Sequence, residues 1–231
     1  MIKVVFFDID NTLLSFSGYV KEAMKVGFAQ FGLKEYTEDM YSVFERINNS
    51  LWTQIEQGAL SYNELLKIRW NMIFKELNIS FDGEVFEKHF KERLFSSAVP
   101  EPHAMEILEY LSKGYVLCAA SNGPYEQQLN RLKVGKMQDY FTRIFISSKI
   151  GAAKPRKQFF DYCFKDLRES LFPDLSPDET IIIGDSVSSD IAGGKAYGLK
   201  TCLYQPQPAE GPENCCADYV VSDLSDIKLI L

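Results

Sequence analysis

The chain has 231 residues, of which 46% are hydrophobic and 25% charged, a balance that is ordinary for a soluble globular protein. Its net charge of −7 and pI near 5.0 argue against a nucleic-acid polymer as partner, because phosphate backbones demand clustered Lys and Arg. No run of about 18 apolar residues occurs, so no membrane span is expected. The length accommodates one large domain, or one domain with a sizeable insertion.

The first predicted strand is Val4 to Phe7, a short continuous apolar run that is typical of a parallel strand buried on both faces. The next comparable run, Val116 to Ala120, comes only after a long stretch with helical spacing of its apolar residues. We expect about four helices between positions 17 and 97. Ser61 and Glu64 form the pattern of a capping box, which predicts the start of one of these helices.

From Pro100 onward, predicted helices alternate with predicted strands. The strands cover 115–120, 143–147, 180–183, 200–204 and 219–221, and the helices cover 102–113, 124–134, 156–170 and 189–197. This alternation implies a parallel sheet with right-handed crossovers. We therefore predict a doubly wound, Rossmann-like α/β core from 1–14 and 99–231, with a helical-bundle domain inserted at 15–98. Residues 205–214, rich in proline, are predicted to form a loop.

The five cysteines are odd in number and show no CxxC spacing. Cys118 and Cys202 lie inside apolar strand-like runs, where a free cysteine behaves as a small hydrophobic residue. The pattern predicts a reduced, cytoplasmic protein. Redox activity of the adjacent pair Cys215 and Cys216 is the less favoured alternative.

Polar side chains follow several of the predicted strands at the point where each strand ends. These clusters are Asp8 with Asp10, Ser121-Asn122-Gly123, Lys154-Pro155, and Gly184-Asp185-Ser186 with Asp190. Any one of them is explained by a turn, since Asp-x-Asp and Ser-Asn-Gly are common there. Four such clusters at the carboxyl edge of one parallel sheet instead predict a ligand site, because ligands bind at that edge.

The residue types at this edge suit phosphoryl transfer. An aspartate with a pKa of about 3.9 is ionised at neutral pH and attacks phosphorus as a nucleophile, the role predicted for Asp8. Mg²⁺ prefers oxygen ligands and would offset the repulsion between carboxylates, with Asp185, Asp8 and a main-chain carbonyl as ligands. Lys154 and Ser121 would hold the phosphoryl oxygens, which leaves Asp10 to protonate the leaving oxygen and later activate water.

The run Asp8-Ile9-Asp10-Asn11-Thr12-Leu13 resembles the first motif of the haloacid dehalogenase-like hydrolase superfamily. The clusters at 121–123, 154–155 and 184–190 resemble its second, third and fourth motifs, so the resemblance spans most of the chain. It implies that Asp8 is the nucleophile and Asp10 the general acid/base. It also implies that Ser121, Asn122 and Lys154 bind the substrate phosphate, and that the Mg²⁺ cofactor is held by Asp8, Asp10, Asp185 and Asp190. The helical insertion resembles the family's cap.

Within the superfamily, the presence of Asp10 favours a phosphate ester, because carbon–halogen cleavage needs no proton on an alkoxide. The DxDNTL opening and the GDSxxSD run look most like nucleoside 5′-monophosphatases, including those for noncanonical pyrimidine nucleotides. The resemblance thus implies a small phosphorylated metabolite, a nucleotide first of all, as partner. Phosphatases of sugar phosphates or phosphoglycolate, a phosphosugar mutase, and a binding protein without turnover are the alternatives.

Some roles stay open at this point. Asp190 either contacts the metal or only supports the site at the start of a helix, and Asn122 either contacts phosphate or only shapes its loop. Aromatic residues of the insertion would stack on a nucleobase or, as helical spacing favours, form its core; they include Tyr19, Phe28, Trp52 and Trp70. Neither histidine, His89 nor His103, is expected to be catalytic. The chain is expected to be a monomer or a homodimer.

Overall fold

The computed structural model describes residues 1–207 and 216–231. Most of the loop predicted at 205–214, and Cys215 of the adjacent cysteine pair, lie outside the described residues. By its internal contacts the chain divides into two units, one formed by Met1–Ser15 with Ala98–Leu231 and the other by Phe16–Ser97. We refer to them as the α/β unit and the helical unit. Among the described residues, no helix is both long and apolar enough to cross a bilayer.

The helical unit consists of four helices: α1 (Phe16–Gln30), α2 (Glu38–Gln57), α3 (Tyr62–Glu76) and α4 (Gly83–Phe95). Ser61 caps α3 as the sequence predicts, because its hydroxyl accepts from the Glu64 N–H while the Glu64 carboxylate accepts from the Ser61 N–H. The core between the helices is aromatic, and Trp70 packs with its ring centroid 4.3 Å from that of Phe86. The unit therefore has a hydrophobic core of its own.

In the part of the α/β unit that the structure describes, six parallel strands lie in the order β3-β2-β1-β4-β5-β6. Their bounds are β1 (Val4–Phe7), β2 (Val116–Ser121), β3 (Arg143–Ile146), β4 (Thr180–Gly184), β5 (Lys200–Tyr204) and β6 (Tyr219–Val221). This is the order of a doubly wound sheet, whose chain reverses direction across the sheet between β1 and β4. The predicted Rossmann-like fold is confirmed, and each predicted strand end lies within one residue of the observed one.

The α-helices described in this unit are α5 (Ala104–Leu111), α6 (Tyr125–Val134), the single turn α7 (Ser147–Ile150), α8 (Lys157–Ser170) and α9 (Ala192–Tyr197). Helix α5 begins later than the sequence predicts because His103 has a left-handed φ of 61°, which interrupts helical geometry. Before α9, Val187–Ile191 forms a π-helical turn. Turns of this kind are rare, and they are frequently found at functional sites.

Both faces of the sheet are buried, which explains the continuous apolar runs of its strands. Val5 and Phe7 of β1 contribute to a core that includes residues of α5 and the C-terminal segment, whereas Val4 and Phe6 contribute to a core with α8. Successive residues of a strand point to opposite faces, so one four-residue strand supplies both cores. Because β1 is central and fully buried, the residue that follows Phe7 is held firmly at the carboxyl edge.

Candidate active site

Asp8 and Asp10 leave the carboxyl end of the central strand. Parallel pairing aligns Phe7 with Ile183 of β4, and the Asp8 N–H donates to the Ile183 carbonyl at 2.9 Å. The chain then turns back at Asn11, whose φ of 56° lies in the left-handed region that Asn tolerates better than most residues. Extended backbone at the strand end thus fixes Asp8, and the turn that follows fixes Asp10.

Lys154 is the central cation of the site and only 1% exposed. Its Nζ donates to Asp8 Oδ1 at 2.7 Å, to Asp190 Oδ1 at 2.6 Å and to the Ala120 carbonyl. These acceptors come from the ends of three strands or the turn after them, so the ammonium joins β1, β2 and β4. A buried Lys is stable only when charge partners compensate its desolvation, and here two carboxylates do so.

The pKa values of these groups reflect burial and crowding of charge. Burial raises the pKa of Asp8 to about 7; Lys154 opposes this rise, and Asp190 adds to it. Burial also raises the pKa of Asp185 well above its usual value, with the charges of Asp8 and Asp190 acting in the same direction. Burial acts to lower the pKa of Lys154, but Asp190 and Asp8 outweigh it and keep the ammonium charged. Perturbed groups of this kind concentrate at functional sites.

Three carboxylates form a cluster that suits a divalent cation. Oxygen atoms of Asp8, Asp185 and Asp190 all lie within 4.8 Å of one another. Fully ionised, the three groups carry three negative charges, of which Lys154 offsets one. A hard dication with oxygen ligands would neutralise the remainder, so the donor set fits Mg²⁺. The Asp10 side chain is not in this cluster and is paired with Gln128 and Arg131 instead, so metal binding by Asp10 stays a prediction.

Gly184 creates the space in which the Asp190 carboxylate packs. A Cβ added at Gly184 would overlap that carboxylate and would lie 2.8 Å from the Asp190 Cβ. Asp190 is fully buried; its Oδ2 accepts from the Ser186 N–H at 3.2 Å, and its Oδ1 accepts from Lys154. These contacts agree with a supporting role for Asp190, while its place in the acidic cluster keeps metal ligation open.

Ser121 is the last residue of β2, and Asn122 follows it at the same edge. The Ser121 Oγ accepts from the Gly123 N–H at 3.1 Å and from Gln128 Nε2 at 2.8 Å. A hydroxyl has two acceptor lone pairs, so these bonds leave its own proton to be donated. The Asn122 amide pairs with the backbone of Lys154 through two 2.9 Å bonds, which favours the loop-shaping alternative for this residue. Phosphate binding by Asn122 stays a prediction.

Two residues of α6 that the sequence reasoning missed contact Asp10. Gln128 Nε2 donates to Asp10 Oδ2 at 2.6 Å, and Arg131 Nη1 donates to Asp10 Oδ1. Both side chains are buried, with 0% and 1% of their surface exposed. They come from the interior of a helix, whereas the clusters that the sequence predicts lie at strand ends. The sequence does contain one indication of their burial: they are three residues apart, which puts them on one helix face beside the buried Leu132.

The histidines and the aromatic residues of the helical unit occupy other places. His103 pairs with Asp223 through Nδ1 at 2.6 Å, and the ring of His89 packs against that of Phe31. Of the four aromatic residues named above, three are buried in the core of the helical unit and Trp52 is partly buried against it. Of the two alternatives for these rings, stacking on a nucleobase or forming the core of the helical unit, the structure favours the second.

Comparison with known proteins agrees with this geometry. A family model described as haloacid dehalogenase-like hydrolase matches residues 5–204. The HAD-hydrolase YfnB of Bacillus subtilis is 28% identical over 99% of this chain and 95% of its own length. The crystal structure of YfnB bound to magnesium has a TM-score of 0.88 and covers 100% of this chain and 98% of that one.

Two further relatives have names that state a substrate class. Pyrimidine 5′-nucleotidase YjjG of Escherichia coli is 29% identical over 98% of this chain and 96% of its own length. Pyrimidine 5′-nucleotidase PynA of Streptococcus pneumoniae is 28% identical, with coverage of 97% and 93%. The family model spans most of the chain, and all four predicted motifs meet at one sheet edge. The chain therefore belongs to the haloacid dehalogenase-like hydrolase family, and within that family it is a phosphatase.

Proposed function

We propose that this protein is a Mg²⁺-dependent phosphatase of nucleoside 5′-monophosphates that passes through an aspartyl phosphate on Asp8. The observation that carries the proposal is the pairing of two aspartates with different surroundings. Asp8 is buried and held by the Lys154 ammonium, whereas Asp10, two residues on, is held by Gln128 and Arg131. One carboxylate is thereby available as a nucleophile and the other for proton transfer.

In the first step, a carboxylate oxygen of Asp8 attacks phosphorus and the bond from phosphorus to the ester oxygen breaks. Asp10 gives its proton to the departing alkoxide, which leaves as an alcohol. Lys154 and the Ser121 hydroxyl stabilise the charge that develops on the phosphoryl oxygens. Both donors are already fixed by buried contacts, so little reorganisation is needed when that charge appears.

In the second step, water attacks phosphorus and Asp10 takes a proton from that water. The bond from phosphorus to the Asp8 oxygen breaks, inorganic phosphate is released, and the Asp8 carboxylate is restored. Asp8, Asp185, Asp190 and the main-chain carbonyl of Asp10 are the proposed metal-site residues. Bound there, Mg²⁺ would supply charge neutralisation between the aspartates and the phosphoryl group.

The nucleotide specificity is supported by the two pyrimidine 5′-nucleotidases among the relatives, both similar over nearly the whole chain. Their identity of 28–29% supports the substrate class and leaves the preferred base to be measured. A panel of pyrimidine and purine nucleoside 5′-monophosphates, phosphoglycolate and hexose phosphates, assayed by phosphate release, tests this choice. We expect the highest kcat/KM for a pyrimidine nucleotide; a sugar phosphate or phosphoglycolate at the head of the panel would contradict it.

The nucleophile is tested by Asp8→Asn, with Asp139→Asn as the control because Asp139 is an exposed aspartate of the same unit. We expect Asp8→Asn to abolish turnover and the control to retain it. Acid quenching of the wild-type reaction followed by borohydride reduction should convert residue 8 to homoserine, detected by peptide mass spectrometry. EDTA should stop phosphate release and added Mg²⁺ should restore it. Full activity in Asp8→Asn, or in EDTA, would contradict the mechanism.

A further inference from the structure

Asp10 is held by a hydrogen-bond network that lies entirely on the α/β unit. Arg131 Nη1 donates to Asp10 Oδ1 and, at 3.0 Å, to Gln128 Oε1, while Gln128 Nε2 donates to Asp10 Oδ2 at 2.6 Å. Each carboxylate oxygen of Asp10 thus has its own donor on α6. The two contacts fix both the position and the rotation of the carboxyl group.

The orientation of the Gln128 amide follows from its neighbours. Arg131 is only a donor, so the amide oxygen of Gln128 must face it. The amide nitrogen then faces Asp10 and Ser121, and its two protons are donated to Asp10 Oδ2 at 2.6 Å and to Ser121 Oγ at 2.8 Å. Arg131 therefore acts on Asp10 twice, by direct contact and by orienting Gln128.

The chain leaves space for this arrangement. A Cβ added at Gly123 would lie 2.8 Å from the Gln128 Cδ, so any larger residue there would displace the amide. The side chains of Gln128 and Arg131 are completely or almost completely buried. Burying an arginine is costly unless an opposite charge compensates it, and here the Asp10 carboxylate does so. About a third of the Asp10 side chain, 32%, remains exposed. A carboxylate has about four lone-pair sites, so the two contacts leave others facing outward.

We propose that Arg131 and Gln128 are positioning residues for the general acid/base Asp10. They hold its carboxyl group at the sheet edge, so that it reaches the leaving oxygen and the attacking water without searching other rotamers. The inference rests on the proposed function, since it assigns a task within that reaction. Neither residue is assigned contact with the substrate, and both act through Asp10.

The test compares two esters that differ in their need for a proton. Nitrophenolate leaves 4-nitrophenyl phosphate as a stable anion, whereas the alkoxide that leaves uridine 5′-monophosphate must be protonated. For Arg131→Met we expect kcat/KM for uridine 5′-monophosphate to fall by about tenfold to a hundredfold, which is at most the lower limit of what general acid catalysis contributes, because Asp10 itself is retained. We expect kcat/KM for 4-nitrophenyl phosphate to change little. Gln128→Met should shift the ratio in the same direction, and Arg131→Lys should recover part of the loss.

Two controls separate positioning from damage to the fold. Lys133→Met removes an exposed cation two residues further along α6 and should leave both kcat/KM values unchanged. In an Asp10→Asn background, adding Arg131→Met should lower kcat/KM little further, because the carboxyl group that Arg131 positions is already absent. Equal losses on both esters, or full additivity with Asp10→Asn, would overturn the proposal. Wild-type protein that hydrolyses neither ester would instead contradict the proposed function itself.

Discussion

Gly184 shows how a single missing side chain shapes the site. The Asp190 carboxylate occupies the space that a Cβ at position 184 would need. For Gly184→Ala we predict a loss of about 1–3 kcal/mol in the free energy of unfolding, the usual cost of overpacking. Because Asp190 also holds Lys154 at 2.6 Å, the substitution should displace the ammonium from Asp8 as well. We expect a displacement of that kind to lower kcat by about 10²-fold, measured on the ester with the highest kcat/KM.

Gly114→Ala is the matched control for this prediction. A Cβ at Gly114 meets no atom within 4 Å, and no unusual φ is associated with the residue. We expect this variant to match or slightly exceed the wild-type melting temperature, because alanine reduces the entropy of the unfolded chain. If Gly184→Ala behaves like Gly114→Ala in both stability and kcat, Asp190 does not depend on that space.

At the scale of residues, the sequence predicts the side chains that lie at the carboxyl ends of strands. Asp8 and Asp185 directly follow a strand and Ser121 ends one, and the end of a buried strand has a fixed direction and a known edge. The residues that hold these groups are harder to predict. Gln128 and Arg131 lie inside a helix, where a polar residue ordinarily faces water. Only the packing of that helix against the sheet puts them beside Asp10.

At the scale of elements, the helical unit contains a buried ion pair that joins three helices. Arg69 of α3 donates to Glu87 of α4 from Nε at 3.0 Å and from Nη2 at 2.5 Å, and to Asn48 Oδ1 of α2 from Nη1 at 2.9 Å. The guanidinium carbon also lies 4.9 Å from the ring centroid of Phe90. Replacing such a buried pair by apolar residues of similar volume is often neutral for stability, whereas removing one partner is strongly destabilising.

We predict that Arg69→Met destabilises the protein by about 3–5 kcal/mol, because it leaves the Glu87 carboxylate buried without its partner. The double variant Arg69→Met/Glu87→Met should recover most of that loss, since no buried charge remains. Urea unfolding of the single and double variants measures both values. Arg46→Met is the control: Arg46 pairs with Glu76 at an exposed position, so its loss should cost no more than about 1 kcal/mol. A double variant as unstable as the single one would contradict the argument.

The sequence reasoning identified the helix that contains Arg69 but not the role of this residue. Leu65 and Ile73 form part of the apolar stripe of α3, and Arg69 lies four residues from each, inside that stripe. An arginine in an apolar stripe indicates a buried partner, yet nothing in the sequence specifies Glu87 as that partner. The strands are easier to predict, because a short continuous apolar run bounded by polar clusters is compatible with few structures other than a buried parallel strand.

For the whole molecule, the order of strands and helices determined the fold class. Alternation with right-handed crossovers leaves few topologies, and the observed order is one of the commonest. Substrate choice does not follow in the same way, because it depends on side chains whose neighbours are distant in sequence. The pH dependence of stability also depends on such distant neighbours, because the surroundings of His103 raise its pKa and those of His89 lower it.

The C-terminal segment is tied to the start of α5 by an ion pair. His103 Nδ1 contacts Asp223 Oδ1 at 2.6 Å, and Lys228 contacts Glu106 on the same helix at 2.5 Å. The hydrogen bond and charge of Asp223 raise the pKa of His103 above 6.5, with Glu106 adding to the rise and Lys228 opposing it. Hydrogen bonds from Ser225 and His103 lower the pKa of Asp223 to about 2. The pair is therefore fully charged across mildly acidic pH.

The pH dependence of stability follows from the sign of each shift. A histidine whose folded pKa is raised contributes stability that is complete below its unfolded value of 6.5 and is lost as the pH rises through the folded pKa. Asp223 contributes above its unfolded value of 3.8, and that contribution is lost as the pH falls toward 2. We predict that His103→Asn lowers the melting temperature most between these unfolded values, and that the difference from wild type narrows as the pH rises through the raised pKa of His103.

His89 supplies a comparison of opposite sign within the same chain. Burial lowers its pKa below 6.5, with Arg93 acting in the same direction, so the folded state favours the neutral ring. Its contribution is present above the unfolded pKa and is lost as the pH falls through the folded one. Calorimetric melting of His89→Asn should therefore show its largest loss relative to wild type at neutral and higher pH, where His103→Asn shows its smallest. Parallel pH profiles for the two variants would contradict the assignment, because burial and ion pairing act on a histidine in opposite directions.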